Sequence, residues 1–294
     1  MFLPDFKKQM GNYSNVINEE LMKYIPSASN GQREVAKAMK YSLSNGGKRL
    51  RPMLVLEFCK MCGGDVKKAL PYACAIEFIH TYSLIHDDLP CMDNDDMRRG
   101  KPSCHKMYGE AIALLAGDAL LTHAFEVCSS ADLPAENNLN AVSLLAQNAG
   151  VGGMLGGQVI DLKYEHGDPS VSEILTVHRL KTGALISAAC LLGCIAADAQ
   201  QDRFILASKY AYLIGTAFQI KDDLLDITGD EEKLGKPVGS DLDNDKTTYV
   251  TLVGAEKAQK DVVTLTNKAI EILDKFDDNA FMKTLSEYLV NREN

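Results

Sequence analysis

Apolar residues recur at helical spacing along almost the whole chain, as at Leu54, Leu56, Phe58 and Met61 and then at Leu70, Ala73, Ile76 and Ile79. No run alternates apolar and polar residues in the way a half-buried strand would, so the fold class reads as all-α. Helix starts are marked by Pro52 after Arg51, by Pro71, by Pro134 before Ala135, and by Ser170 with Glu173 as a capping box. The pattern predicts helices over about 32–45, 52–61, 69–88, 108–129, 135–150, 153–165, 170–181, 183–197, 202–226, 248–275 and 279–291. Two polar stretches, 89–106 and 227–247, interrupt it. Pro90, Gly100, Pro102, Gly229, Gly235, Pro237 and Gly239 make these stretches loops rather than linkers between domains. The 294 residues are therefore read as one domain, 1–294.

The longest uncharged run, 182–197, falls short of the roughly 20 residues that cross a bilayer. It reads as a central buried helix, with no membrane span expected. With 40 acidic against 31 basic residues, a net charge of −9 and no Lys/Arg block, nucleic acid is excluded as a partner. An acidic protein that holds a polyanion needs metal ions to do so. The start, MFLPDFKKQM, is charged at Asp5 and lacks an apolar signal segment, so a cytoplasmic protein beginning near Met1 is expected. Eight cysteines in such a chain read as reduced packing residues. Cys59 and Cys62 form a lone CxxC with no second pair to complete a zinc site.

Chemistry concentrates in two acidic clusters. In HDDLPCMDNDD, Asp87, Asp88, Asp93, Asp95 and Asp96 gather at the end of an apolar helix, a crowding that is unfavourable without a cation. In KDDLLD, Asp222, Asp223 and Asp226 stand three and four residues apart, and on a helix they face one space. Oxygen-only ligands suit magnesium or calcium, and magnesium uses one or two carboxylates plus substrate phosphates. Two such clusters could clamp a diphosphate. An EF-hand at Asp241, Asp243 and Asp245 fails, because Lys246 stands where the loop needs Gly.

Basic residues accompany both clusters: Arg98, Arg99 and Lys101 at the first, Lys221, Lys233 and Lys236 at the second. Arginines offer bidentate contacts to phosphate. GGKRLRP adds Lys48, Arg49 and Arg51 at a helix start, a place that favours anions but is not a Walker loop. Lys181-Thr182-Gly183 with an SxxK at Ser103 lacks the SDN and the scaffold of a serine acyl-enzyme. His80 and His86, six apart, are not at metal-ligand spacing. The glycines at 152–153 and 156–157 read as a close helix approach, with Gln158 and Asp161 following on the same helix.

These motifs, GGKRLRP, SLIHDDLPCMDNDDMRRGKPSCH, GGQVIDL, HRLKTGALI and FQIKDDLLDITGDEEKLGKPVGSDLDNDKTTYV, resemble in identity and order those of short-chain trans-prenyl diphosphate synthases, most closely the bacterial farnesyl type. The resemblance runs from about residue 46 to 251 and implies an all-α bundle around a deep central cavity, usually a homodimer. It implies that Asp87, Asp93 and Asp222 bind several Mg2+ ions, with Asp88, Asp223 and Asp226 in support, and Mn2+ as an alternative ion. Arg98, Lys181 and Lys236 would contact the allylic diphosphate; Lys48, Arg51, His80 and Arg99 would hold isopentenyl diphosphate. Thr182 and Gln219 would flank the reacting carbons; Lys181, Thr182 and Gln219 would localise the charge of the allylic cation, and with Arg98 at the diphosphate they form the expected catalytic set.

Chain growth should stop one helical turn before the first cluster, at Tyr82, followed by Ser83. Together with the extra Pro90-Cys91 this predicts a fifteen-carbon product, farnesyl diphosphate. Geranylgeranyl diphosphate synthesis is the enzymatic alternative, and a non-catalytic regulatory subunit is the alternative of another class. A terpene cyclase is disfavoured by the doubled Asp-Asp motif and the isopentenyl-site basics.

Overall fold

The structure, a computed structural model, describes residues 1–27, 29–164, 167–228 and 247–291. It is helical nearly throughout, as the spacing predicts. Helix α1 (Leu3–Lys23) was not anticipated: only Phe6, Ile17 and Leu21 of it are buried, too sparse an apolar stripe to read against its many polar positions. Helices α2 (Arg33–Ser44), α3 (Leu50–Met61) and α4 (Val66–Asp87) follow. Pro71 does not start α4. Asp65 caps the helix by accepting from the Lys67 amide at 2.9 Å, and Pro71 lies inside.

The loop after α4 holds a small antiparallel hairpin, β1 (Met97–Arg98) against β2 (Lys101–Pro102), two residues a side and too short for an alternating pattern to predict. Then come α5 (Cys104–Tyr108), α6 (Glu110–Ser129), α7 (Ala135–Ala149) and α8 (Met154–Tyr164). The expected break near 182 is absent: α9 (Val171–Val177) continues through a π-helical turn, His178–Gly183, into α10 (Ala184–Ala196). Ser170 and Glu173 form the expected capping box at its start. Helix α11 (Gln201–Thr228) is followed by α12 (Tyr249–Val253) and α13 (Ala255–Leu273), parted at Gly254, whose φ of +84° no continuous helix accepts, and by α14 (Ala280–Asn291).

One contiguous core runs from Phe6 in α1 to Val290 in α14, with α10 buried along nearly its whole length. It packs closely on α3, because a Cβ on Gly193 would stand 2.5 Å from the Val55 carbonyl. Two stretches, Glu110–Ser129 and Val171–Ala196, are long and apolar enough to cross a bilayer by composition alone. The second is this core helix. All eight cysteines are free thiols, six of them buried, in keeping with a packing role.

Candidate active site

The C-terminal turns of α4, the start of α3, α8 and the π-helical turn enclose a cavity of about 330 Å3. Arg51, His80, Tyr82, Ser83, Asp87, Lys181 and Thr182, all singled out in the sequence, line it together with Gln158. Leu84, Met92, Met154 and Leu155 give it apolar walls. Thus one space joins a basic end, an acidic rim and an apolar floor.

The acidic rim follows from how the chain leaves α4. The loop turns back so that the Asp93 amide donates to the Asp87 carbonyl at 2.9 Å, bringing the two acids to one mouth. Burial pushes the Asp87 carboxyl up to about 6; Lys181 draws it down, while Asp93 and Asp88 add to the rise. Asp88 is 2% exposed and accepts from Arg98 Nε at 2.9 Å and from Arg98 Nη2, which also reaches Asp95 at 2.9 Å. Arg98 is thereby held behind the rim, and burial raises the Asp88 carboxyl against the pull of Arg98.

The basic end rests on a strained turn. Arg49 adopts φ +49° at the start of α3 and is 3% exposed. Its guanidinium bonds Glu77 at 2.6 Å, Asn18 at 2.9 Å and the Leu43 carbonyl. Arg99 donates to the Gly46 carbonyl and its Nη1 lies 2.5 Å from where a Gly47 Cβ would stand; the φ of +121° at Gly47 is what makes this turn need glycine. Beside them, burial pushes Arg51 down to about 10, with Arg99 lowering it further and Glu77 opposing. His80 is lowered well below its ordinary range, first by burial and then by Arg51, Arg99, Arg49 and Arg98, and stays neutral. Lys48 lies exposed on the same turn.

On the far wall, α8 approaches the π-helical turn so closely that a Cβ on Gly157 would stand 2.2 Å from the Lys181 backbone nitrogen. One turn on, Asp161 accepts from Lys181 Nζ at 2.6 Å. Helix α11 meets the same turn where Gly215 faces Gly183, and it carries Gln219, Asp222, Asp223 and Asp226 onward. Gln219 is half-buried and does not line the cavity. Asp223 does not share one open space with its neighbours: it is 9% exposed, accepts from the Tyr249 amide at 3.0 Å and lies 3.5 Å from His178 Nε2. Lys236 falls outside the described residues.

Among the described residues, no three His, Cys, Asp or Glu side chains converge tightly enough to cage a metal ion. The donors present still fit magnesium. They are carboxylate oxygens only, and the Asp87 carboxyl, raised first by burial and further by Asp93 and Asp88, stands where a cation would relieve the cost of its charge. Sequence reading did not assign Glu77, Asn18, His178 or Asp161 a role in the site. Glu77 left a signal, an acid inside the apolar run CAIEFIH three residues before His80.

A helical cup with a basic end, an acidic rim and apolar walls has the chemistry to suit a polyanion that carries an apolar tail. The family follows from comparison: residues 32–289 match the polyprenyl synthetase model, and the chain belongs to that family. It is 46% identical over 288 residues to the farnesyl diphosphate synthase of Micrococcus luteus, covering 96% of each. It is 44% identical over 283 residues to the geranylgeranyl diphosphate synthase of Cyanophora paradoxa, covering 95% of this chain and 94% of that one. A solved geranyltransferase from Helicobacter pylori, complexed with magnesium and isoprenyl diphosphate, superposes with a TM-score of 0.84 at 32% identity, covering 99% of this chain and 98% of that one. The chain is a short-chain prenyltransferase of isoprenoid biosynthesis.

Proposed function

We propose that the chain is a farnesyl diphosphate synthase, condensing isopentenyl diphosphate head-to-tail with dimethylallyl and then geranyl diphosphate. The observation that carries the fifteen-carbon product is Tyr82: it is 2% exposed and lines the cavity one turn before Asp87, where it would close the space to a longer chain. The Micrococcus luteus relative supports this reading, and the near-equal likeness to a geranylgeranyl synthase keeps a twenty-carbon product as the second one.

Asp87 and Asp93 on the rim, with Asp222 and Asp226 on α11, would hold magnesium, and manganese is a similarly hard substitute. Asp88 and Asp223 would support them from behind, through Arg98 and through the Tyr249 amide. When bound, magnesium supplies positive charge that stabilises the departing diphosphate. Arg98, Lys181 and Lys236 would hold the allylic diphosphate. Arg51, Arg99 and Lys48 would hold the other, with neutral His80 donating a hydrogen bond. Leu84, Met92, Met154 and Leu155 would keep water from the allylic cation, and Lys181 with Thr182 and Gln219 would localise its charge. The proton lost on condensation passes to the departing diphosphate. A homodimer fits the exposed Leu114, Leu115 and Leu139 on α6 and α7, and a cytoplasmic setting fits the substrates.

Incubation of the purified chain with magnesium, isopentenyl diphosphate and dimethylallyl or geranyl diphosphate should give mainly farnesyl diphosphate. No condensation with either allylic substrate would overturn the synthase reading in favour of a regulatory subunit. Tyr82→Ala should lengthen the product, and a product distribution no longer than wild type would overturn the role of Tyr82 as floor.

A further inference from the structure

We infer that His86 is a second specificity-determining residue, which props the Tyr82 ring and is seated in a socket on α6 formed by Gly117. The inference rests on the reading of Tyr82 as the cavity floor. Tyr82 and His86 are four residues apart on α4 and therefore share a face. Their rings meet edge to face, with centroids 5.6 Å apart at 80°. Among the described residues no group accepts from the buried Tyr82 hydroxyl, so packing alone fixes the plane of that ring. His86 forms one side of that packing, and both side chains line the cavity.

The imidazole is itself held by α6. Its Nε2 lies 3.1 Å from the Leu114 carbonyl and 3.8 Å from Asp118 Oδ1. Between those residues stands Gly117, where a Cβ would come 2.1 Å from His86 Nε2 and 2.4 Å from Cδ2; all three of the atoms nearest that position belong to His86. Helix α6 thus leaves out one side chain where α4 inserts a ring. A wedge of this kind sets how far the floor can swing and hence how long a hydrocarbon tail the cavity accepts, independently of the groups that bind diphosphate.

The test is the product-length distribution of four variants with dimethylallyl and geranyl diphosphate, each checked for folding by its melting curve. His86→Ala should free the Tyr82 ring and raise the twenty-carbon share at least severalfold. Gly117→Ala should drive the imidazole into the cavity and shift product toward ten carbons. The double variant His86→Ala with Gly117→Ala should reproduce the distribution of His86→Ala, because the added methyl then meets nothing. Tyr82→Ala, run alongside, tests the floor itself. A wild-type distribution for His86→Ala overturns the prop, whatever Tyr82→Ala does. An unlengthened Tyr82→Ala overturns the floor reading separately.

Discussion

Lys181 reaches the cavity under the control of two residues of α8, Gly157, which admits its backbone, and Asp161, which binds its ammonium. A charge-assisted hydrogen bond of this kind is worth roughly 1.5–3 kcal/mol when enclosed and less here, where the lysine is half-buried. Asp161→Asn is expected to lower kcat/KM for the allylic substrate about tenfold at one such bond's worth, while leaving the KM for isopentenyl diphosphate unchanged. Steady-state kinetics varying each substrate separate the two effects. Away from the site, Glu57 is fully buried and accepts from Tyr13, and burial raises its carboxyl above the ordinary range. A carboxyl raised on folding contributes stability below its unfolded value and loses it as pH rises through the folded one. Glu57→Gln should therefore gain stability relative to wild type as pH climbs through that window and lose the advantage in acid, as read by urea denaturation at a series of pH values.

At the scale of elements, the turn before α3 depends on the Arg49–Glu77 pair, both side chains almost wholly enclosed at 1% and 2%. Removing one partner of such a pair costs about 3–5 kcal/mol, since the other charge stays buried alone. Glu77→Leu is expected to lose that much in chemical denaturation, because Arg51 and Arg99 are also near, and the double variant with Arg49→Met should recover a large part of it. The helices themselves were legible wherever apolar residues were dense, as in α4 and α10. Helix α1 was hidden because its buried side is only Phe6, Ile17 and Leu21, and Pro71 misled because proline tolerated within a helix looks like proline at its start. The site was legible in its residue types, since carboxylate clusters and arginine pairs carry their chemistry in their names. Its supports were not, because the links of Lys181 to Asp161 and of Asp223 to the Tyr249 amide join distant segments that no spacing rule connects.

For the molecule as a whole, the cavity is a place where separate helices each supply part of the binding chemistry, so occupancy should tie them together. Magnesium with inorganic diphosphate is expected to raise the melting temperature by more than the sum of the two separate effects, since each creates the site for the other. Asp87→Asn should abolish the excess. A thermal-shift titration across both ligands checks this without any turnover.

The π-helical turn at His178–Gly183 has a consequence for the phase of the helix that contains it. One extra residue in a helix rotates everything after it by about 100° relative to what came before. The residues of α10 can thus answer wholly to core packing against α3, while Lys181 and Thr182, a turn earlier, answer to the cavity. A single rod carries two independent angular settings, and substitutions that retune one leave the other's register in place.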